Sequence, residues 1–320
     1  MANTVVLYHQ HCTDGFAAAY QVWRVFGANA DYIGRDYVKA TDVKYFEETI
    51  ARCKDKKVFI LDWSMPAEYI YKLAEVALQT VLLDHHQTAF EYFSKEAQLS
   101  GFGDNPSSFM WDYITQNGRR LFIKLDNKKS GAKLAMDYFA LSTNTFNNNF
   151  IVDRIDDRDR WVFQYPESRA LHAFLNAETP WSFEQWDRIV SDDEMLYDGI
   201  QTGFALIKQI DVAVERMCRN AVSTSVLGVP AILVNSPIYQ SEIGDRLYTK
   251  YKDEMVLVWY AAETEQSNCS MRSLPGSDID VAAIAQSFGG GGHKHAAGCR
   301  IPTGNINLYL KQGTSLKYKS

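Results

Sequence analysis

Acidic and imidazole residues recur at the ends of apolar runs in this chain. His9 closes the first run and is followed by Asp14-Gly15, Asp62 closes the second, and Asp84-His85-His86 closes the third. An oxygen-rich donor set with two or three imidazoles suits Mn²⁺, or Mg²⁺ with some histidine. A fourth acidic group, Asp153, Asp156, Asp157 and Asp159, lies in a stretch where Arg alternates with Asp. Alone it reads as a solvated charged turn. Far downstream, Gly289 to Gly292 precede His293, Lys294 and His295, and Ala296-Ala297-Gly298 follow. Four glycines in a row carry a large entropic cost. They make sense where backbone amides must approach an anion closely, as in a phosphate nest. Arg272, at the end of another apolar stretch, could grip a phosphate with two parallel hydrogen bonds.

Positioning these groups requires strands. Thr4 to His9, Lys57 to Asp62 and Thr80 to Asp84 are compact β-branched or apolar runs. Helical stretches separate them: Asp14 to Phe26, and one beginning after Pro66 and running to about Leu78. Strand–helix alternation argues for a parallel sheet covered by helices. In such sheets ligands bind outside the carboxyl ends of the strands, where these acidic and imidazole groups fall. The region Ser94 to Asp126 is weaker, with Gly, Asn and Pro breaks, and Ser130 could cap a helix through Phe139. Ser191 to Asn220 has few breakers and helical apolar spacing, including Leu196, Ile200, Leu206, Ile210 and Val214. A β-rich pattern begins near Val222, with runs at Ala231–Val234, Met255–Tyr260 and Cys269–Arg272.

The expected architecture is α/β: an N-terminal parallel-sheet domain with helices on both faces, a long linking helix, and a smaller α/β C-terminal domain. Residues 1–190 form the first domain, 191–222 the linking helix and 223–320 the second domain. The length, 320 residues, suits two domains. With 46% hydrophobic and 22% charged residues the chain can build a core in each. No apolar run approaches the ~20 residues that span a bilayer, and the first residues lack the basic and apolar regions of a signal peptide. The five cysteines, Cys12, Cys53, Cys218, Cys269 and Cys299, are scattered, which argues against a disulfide framework and for a reducing compartment. A cytoplasmic protein is expected. The net charge of −6 disfavours a partner as long as polymeric nucleic acid, whose binding rests on phosphate neutralisation.

In this order, the motifs resemble the DHH phosphoesterase superfamily, which includes nanoRNases, cyclic-dinucleotide phosphodiesterases, RecJ-type exonucleases and family II pyrophosphatases. The resemblance covers nearly the whole chain. Asp84-His85-His86 matches the signature triplet, and Arg272-Ser273 with the Gly-Gly-Gly-Gly-His run matches the DHH-associated substrate-binding domain. The fourth aspartate is best matched by Asp157, because Trp161 follows at the family's usual interval, with Asp159 as the fallback. Two departures stand out. Phe16 occupies a position where many members carry a second aspartate. The spacing from His9 to Asp14 is one residue longer than in many members, so that either the loop bulges or His11 replaces His9.

The resemblance implies two ions, Mn²⁺ first and Mg²⁺ as the alternative. His9, Asp14 and Asp62 would hold one, and Asp62, His85 and Asp157 the other. Water would be activated between them, His86 would contact the phosphate or protonate the leaving oxygen, and Asp84 would orient its own motif. Arg272, His293 and the amides of Gly290, Gly291 and Gly292 would hold the rest of the substrate. The activity implied is that of a nanoRNase-like phosphodiesterase on short oligonucleotides or on cyclic or linear dinucleotides. A phosphatase on small anions (a 3′-phosphoadenosine nucleotide, polyphosphate or pyrophosphate) is the first alternative, and an inactive nucleotide-binding protein the second. The expected partner is a small nucleotide or phosphate substrate and not a membrane; a homodimer is left open.

Overall fold

The computed structural model describes residues 3–36, 42–103, 106–140, 149–262 and 264–318. The chain divides into two compact units, Met1–Ile207 and Lys208–Ser320.

The first unit opens with β1 (Thr4–His9), α1 (Thr13–Phe26), β2 (Ala30–Arg35), α2 (Val43–Arg52), β3 (Lys57–Leu61), α3 (Ala67–Val76) and β4 (Gln79–Asp84). It continues with α4 (Gln87–Tyr92), α5 (Ser94–Leu99), β5 (Ser108–Ile114), β6 (Arg120–Asp126) and α6 (Gly131–Ala140). Three helices follow, α7 (Asn149–Asp159), α8 (Glu167–Ala177) and α9 (Phe183–Ser191), and then α10 (Asp193–Cys218). The six strands form one sheet in the order β2-β1-β3-β4-β6-β5. All neighbours are parallel except the edge strand β5, which runs antiparallel to β6.

The strands read as near-continuous apolar runs because both faces are covered, as parallel sheets require. Val5, Leu7, Val58, Ile60 and Leu82 pack one face against Phe46 and Ile50 of α2, Tyr69, Ile70 and Leu73 of α3, and Phe90 of α4. Val6, Phe59, Leu61, Val81 and Leu83 pack the other against Ala18, Ala19 and Val22 of α1 and Leu134, Ala135 and Phe139 of α6. A further helical layer, with Ile151, Ile155, Leu171, Phe174, Trp186, Leu196 and Ile200, covers the outer side of α1. The weak region between Ser94 and Asp126 resolves into α5 and the β5–β6 hairpin. Asn105, one of its expected breaks, lies outside the described residues.

The second unit contains β7 (Val222–Val226), β8 (Val229–Asn235), α11 (Gln240–Lys250), β9 (Met255–Ala261) and β10 (Gln266–Arg272). Then come α12 (Val281–Gln286), β11 (Gly291–His293), β12 (Ala296–Pro302), α13 (Thr303–Gln312) and β13 (Thr314–Ser315). Its sheet runs β11-β12-β10-β9-β8-β7-β13, with only β8 and β9 parallel, joined through α11. Ile232, Val234, Val256 and Val258 bury one face under Ile243 and Leu247 of α11 and Val214 and Cys218 of α10. Leu233, Leu257, Cys269 and Met271 bury the other under Val281, Ile284 and Ile306. Among the described residues no helix is long and apolar enough to cross a membrane.

Candidate metal centre and DHHA1 domain

The carboxyl edge of the first sheet carries the acidic and imidazole groups. Asp62 lies just past β3 with its backbone in the left-handed region, φ 54°. Its amide still donates to the Leu83 carbonyl at 2.9 Å, so the strand ladder fixes the residue while its side chain turns to the edge. His85 Nε2 is 3.1 Å from Asp62 Oδ1, His9 Nδ1 is 3.4 Å from Oδ2, and His86 Nδ1 is 3.7 Å from Oδ1. Asp159, at the last position of α7, brings Oδ2 to 3.6 Å from His85 Nε2, and Asp14 Oδ2 lies 3.9 Å from the same atom.

Two close backbone approaches build this edge. Both oxygens of Asp14 are engaged by the first turn of α6: Oδ2 accepts from the Gly131 amide at 2.6 Å and Oδ1 from the Ala132 amide at 3.0 Å. A helix N-terminus offers such unpaired amides to a carboxylate. A Cβ at Gly131 would meet the Asp62 side chain, and one at Gly15 would meet the His9 backbone. The Asp14-Gly15 pair is thus a carboxylate followed by the space that lets α1 start against β1.

Asp84 turns back on its own motif. Its Oδ1 accepts from the His85 amide at 2.7 Å and the His86 amide at 3.2 Å, and lies 2.8 Å from His86 Nδ1. Its other oxygen is buried without a hydrogen bond.

Electrostatics show what this edge lacks. Burial pushes the Asp14 carboxyl well above its usual range, and the neighbouring Asp62 and Asp159 carboxylates push it further. Asp159 is raised for the same reasons, burial first and Asp62 next. Burial would raise Asp62 as well, but hydrogen bonds to His85 and His9 outweigh it and hold that carboxyl well below the usual range. Burial disfavours a charged His85, yet Asp62 and Asp159 lift its pKa well above the ordinary value. Like charges packed out of water call for a cation. Three groups of donor atoms close enough to share an ion occur here: Asp62-Asp84-His85-His86, His9-Cys12-Asp62, and Asp14-His85-Asp159. Oxygen with imidazole fits a divalent first-row ion or Mg²⁺, so the residues present fit the expected cofactor.

In the second unit, Arg272 ends β10. Its Nη1 donates to Ser270 Oγ and to the Met271 carbonyl, both at 2.9 Å, and Nη2 to Ser241 Oγ at 3.0 Å. The glycine run contributes a strand where a nest was expected: Gly291, Gly292 and His293 pair with Gly298, Ala297 and Ala296 of β12. A Cβ at Gly290 would meet the Gly298 carbonyl and Cys299, and one at Gly292 would meet Ala296 and Ala297. Close strand packing therefore already accounts for glycine at these two positions. His295 pins the hairpin: its Nδ1 is 2.9 Å from Ser273 Oγ and its Nε2 accepts from the Gly276 amide at 3.2 Å.

Residues 239–314 match the model of the DHHA1 domain. The chain is 24% identical to the oligoribonuclease NrnB of Bacillus subtilis over 325 residues, covering 96% of this chain and 75% of that protein. The second unit thus carries a DHHA1 domain, and the chain as a whole resembles the DHH superfamily. It is also 25% identical to the uncharacterized protein R106 of Acanthamoeba polyphaga mimivirus over 310 residues, covering 92% of this chain and 66% of R106. Among solved structures, a pGpG-specific phosphodiesterase, PggH from Vibrio cholerae, superposes with a TM-score of 0.49 at 13% identity, covering 96% of each chain.

His9, Asp14, Asp62, His85 and His86 of the expected set come together at one edge, and Asp157 does not. The Asp157 carboxylate is fully buried and accepts from the Gln164 and Tyr165 amides at 2.9 and 3.2 Å and from Ser168 Oγ. These three bonds tie it to the turn after α7, and Asp159 stands beside His85 instead. Helical spacing carries the signal that separates them. Asp156 and Asp159 are three apart and share a face, and Asp156 Oδ1 accepts from the Ser130 amide at 2.7 Å next to α6. His11 is exposed with φ 57°, so it absorbs the extra loop residue while His9 keeps its place at the edge. Phe16 stacks on Phe183, ring centroids 4.6 Å apart, in the helical core. Cys12 lies in a donor group with His9 and Asp62.

Proposed function

We propose that the chain is a divalent-metal-dependent phosphodiesterase that hydrolyses short oligonucleotides or dinucleotides. The observation that carries this reading is the convergence of Asp14, Asp62, Asp159, His9 and His85 on one buried edge, which needs a cation to offset its charge. Resemblance to the DHH superfamily and the relation to an oligoribonuclease support the substrate class. Mn²⁺ is the preferred ion and Mg²⁺ the alternative; these five residues, Asp62 above all, would hold two ions per chain.

When bound, the ions lower the pKa of coordinated water toward neutrality and neutralise phosphoryl charge. The chain's own groups do the rest. Asp84 fixes His86 through its Nδ1, leaving Nε2 to face the phosphate or to give a proton to the leaving oxygen. The α6 amides keep Asp14 from swinging away when the site is loaded. In the DHHA1 domain, Arg272, His293 and the amides of the glycine strand are the groups suited to bind a phosphate or nucleotide. Ser270 and Ser241 hold the Arg272 fork in place for that task.

The test is hydrolysis of a panel with Mn²⁺ and, in parallel, Mg²⁺: a linear dinucleotide, a cyclic dinucleotide, a 3′-phosphoadenosine nucleotide and polyphosphate. Cleavage of the dinucleotides ahead of the phosphomonoester and polyphosphate is expected. Preference for the last two would replace this reading with that of a small-anion phosphatase. Binding without turnover of any would make the chain a nucleotide-binding protein.

A further inference from the structure

Two bulky residues directly after Asp159 adopt left-handed backbone, Trp161 at φ 59° and Phe163 at φ 55°. Such conformations are unfavourable for an aromatic residue and persist only where the surroundings over-determine them. Here Asp157 does so. Its carboxylate takes the Gln164 and Tyr165 amides and the Ser168 hydroxyl, and its carbonyl takes the Val162 amide at 2.9 Å. A fully buried aspartate is thus spent on holding one short turn in an unfavourable shape.

The turn displays aromatic surface. The Trp161 and Phe163 rings meet edge to face with centroids 4.8 Å apart, and the Arg158 guanidinium carbon lies 4.7 Å from the Trp161 ring centroid. Both rings are half-buried, and neither belongs to any of the five apolar core clusters formed by the described residues. Trp161 is two residues from Asp159, so their Cα atoms are no more than about 7.6 Å apart. The turn therefore continues directly from the residue whose carboxylate stands beside His85.

We propose that the Trp161–Phe163 turn is the seat of a nucleobase, with Trp161 as the stacking residue and Asp157 as the residue that positions it. The proposal rests on the phosphodiesterase reading above and names the part of the substrate next to the reacting phosphate. Base–aromatic stacking contributes about 1–3 kcal/mol per base and tolerates any base, because every base has a π-face. A cation stacked on the indole, as Arg158 is, adds to such a platform.

The experiment measures binding of two uncleavable dinucleotide analogues with a methylenephosphonate linkage, one bearing 2-aminopurine and one abasic. On the wild-type protein with Mn²⁺, the base-bearing analogue should bind more tightly and lose fluorescence on stacking. Trp161→Gly removes the ring but suits the left-handed backbone. It should weaken the base-bearing analogue about tenfold, abolish the quenching, leave the abasic analogue unchanged, and keep or raise the melting temperature. Trp161→Phe should retain most of the binding. Equal losses for both analogues, persistent quenching in Trp161→Gly, or a wild-type protein that binds neither analogue would overturn the seat. Cleavage of a natural dinucleotide by the wild type is scored separately. Trp161-dependent binding without cleavage leaves the seat standing and removes the phosphodiesterase reading; cleavage with no Trp161 dependence does the reverse.

Discussion

His85 places Nε2 3.1 Å from Asp62 Oδ1, joining the side chains at the ends of two adjacent parallel strands. The same nitrogen faces Asp159 at 3.6 Å and Asp14 at 3.9 Å, so one imidazole edge is shared by three carboxylates. This arrangement of an imidazole among carboxylates is suited to a metal ion. The first prediction concerns that ion. At Mn²⁺ about a hundredfold above its dissociation constant, binding should stabilise the protein by about 2.7 kcal/mol, which raises Tm by about 5–10 °C for a unit of this size. In Asp62→Asn the shift should shrink to within error, because the carboxylate central to the proposed ion positions is gone. Differential scanning fluorimetry over a Mn²⁺ series reads it, and an undiminished shift in the variant would place the ion elsewhere.

Asp157 and Asp159 should separate cleanly. Asp157→Ala leaves two amides and a buried hydroxyl without their acceptor. A cost of about 3 kcal/mol is expected, seen as a lower urea midpoint. Asp159→Asn should leave that midpoint unchanged or slightly higher without metal, since it removes one of three repelling carboxylates, and should weaken Mn²⁺ binding by calorimetry. The reverse pattern would restore Asp157 as the ligand.

This pair shows where the sequence runs out. The DHH triplet, the lone Asp62 and the Asp14-Gly15 pair each end or follow a strong apolar strand, and strand ends converge by topology alone. Asp157 and Asp159 lie instead at the end of a polar helix, where motif spacing says nothing about which carboxylate the next turn will consume. The β5–β6 hairpin was hidden for a related reason. β5 is an edge strand with one face exposed at Met110 and Ile114, so it lacks the continuous apolar run that marks β1, β3 and β4. The glycine run was legible as a place of close approach, but the approaching group is the backbone of β12.

His172, whose Nδ1 is 3.4 Å from Thr13 Oγ1, supplies a further pH dependence. Burial pushes its pKa well below the ordinary value, and Arg158 pushes it further. In the unfolded chain the imidazole takes up a proton below about pH 6.5, whereas in the folded chain it stays neutral to lower pH. The unfolded state then binds more protons, so stability is full above about 6.5 and is lost as pH falls toward the folded pKa. His172→Gln should flatten this part of the profile in urea melts at pH 5, 6 and 7.5. An identical slope in wild type and variant would assign the acid sensitivity to other groups.

The central claim is metal-dependent cleavage of a short phosphodiester at the Asp62 edge. Its most direct test is chromatographic product analysis of a linear dinucleotide incubated with the wild-type protein and with Asp62→Asn, each in Mn²⁺ and in EDTA. The account predicts mononucleotide release by the wild type in Mn²⁺, none in EDTA, and a rate on the order of 10³-fold lower in Asp62→Asn, the loss expected when charge stabilisation at the reacting phosphate is removed. Mononucleotide release in EDTA, or an Asp62→Asn rate equal to that of the wild type, would contradict it.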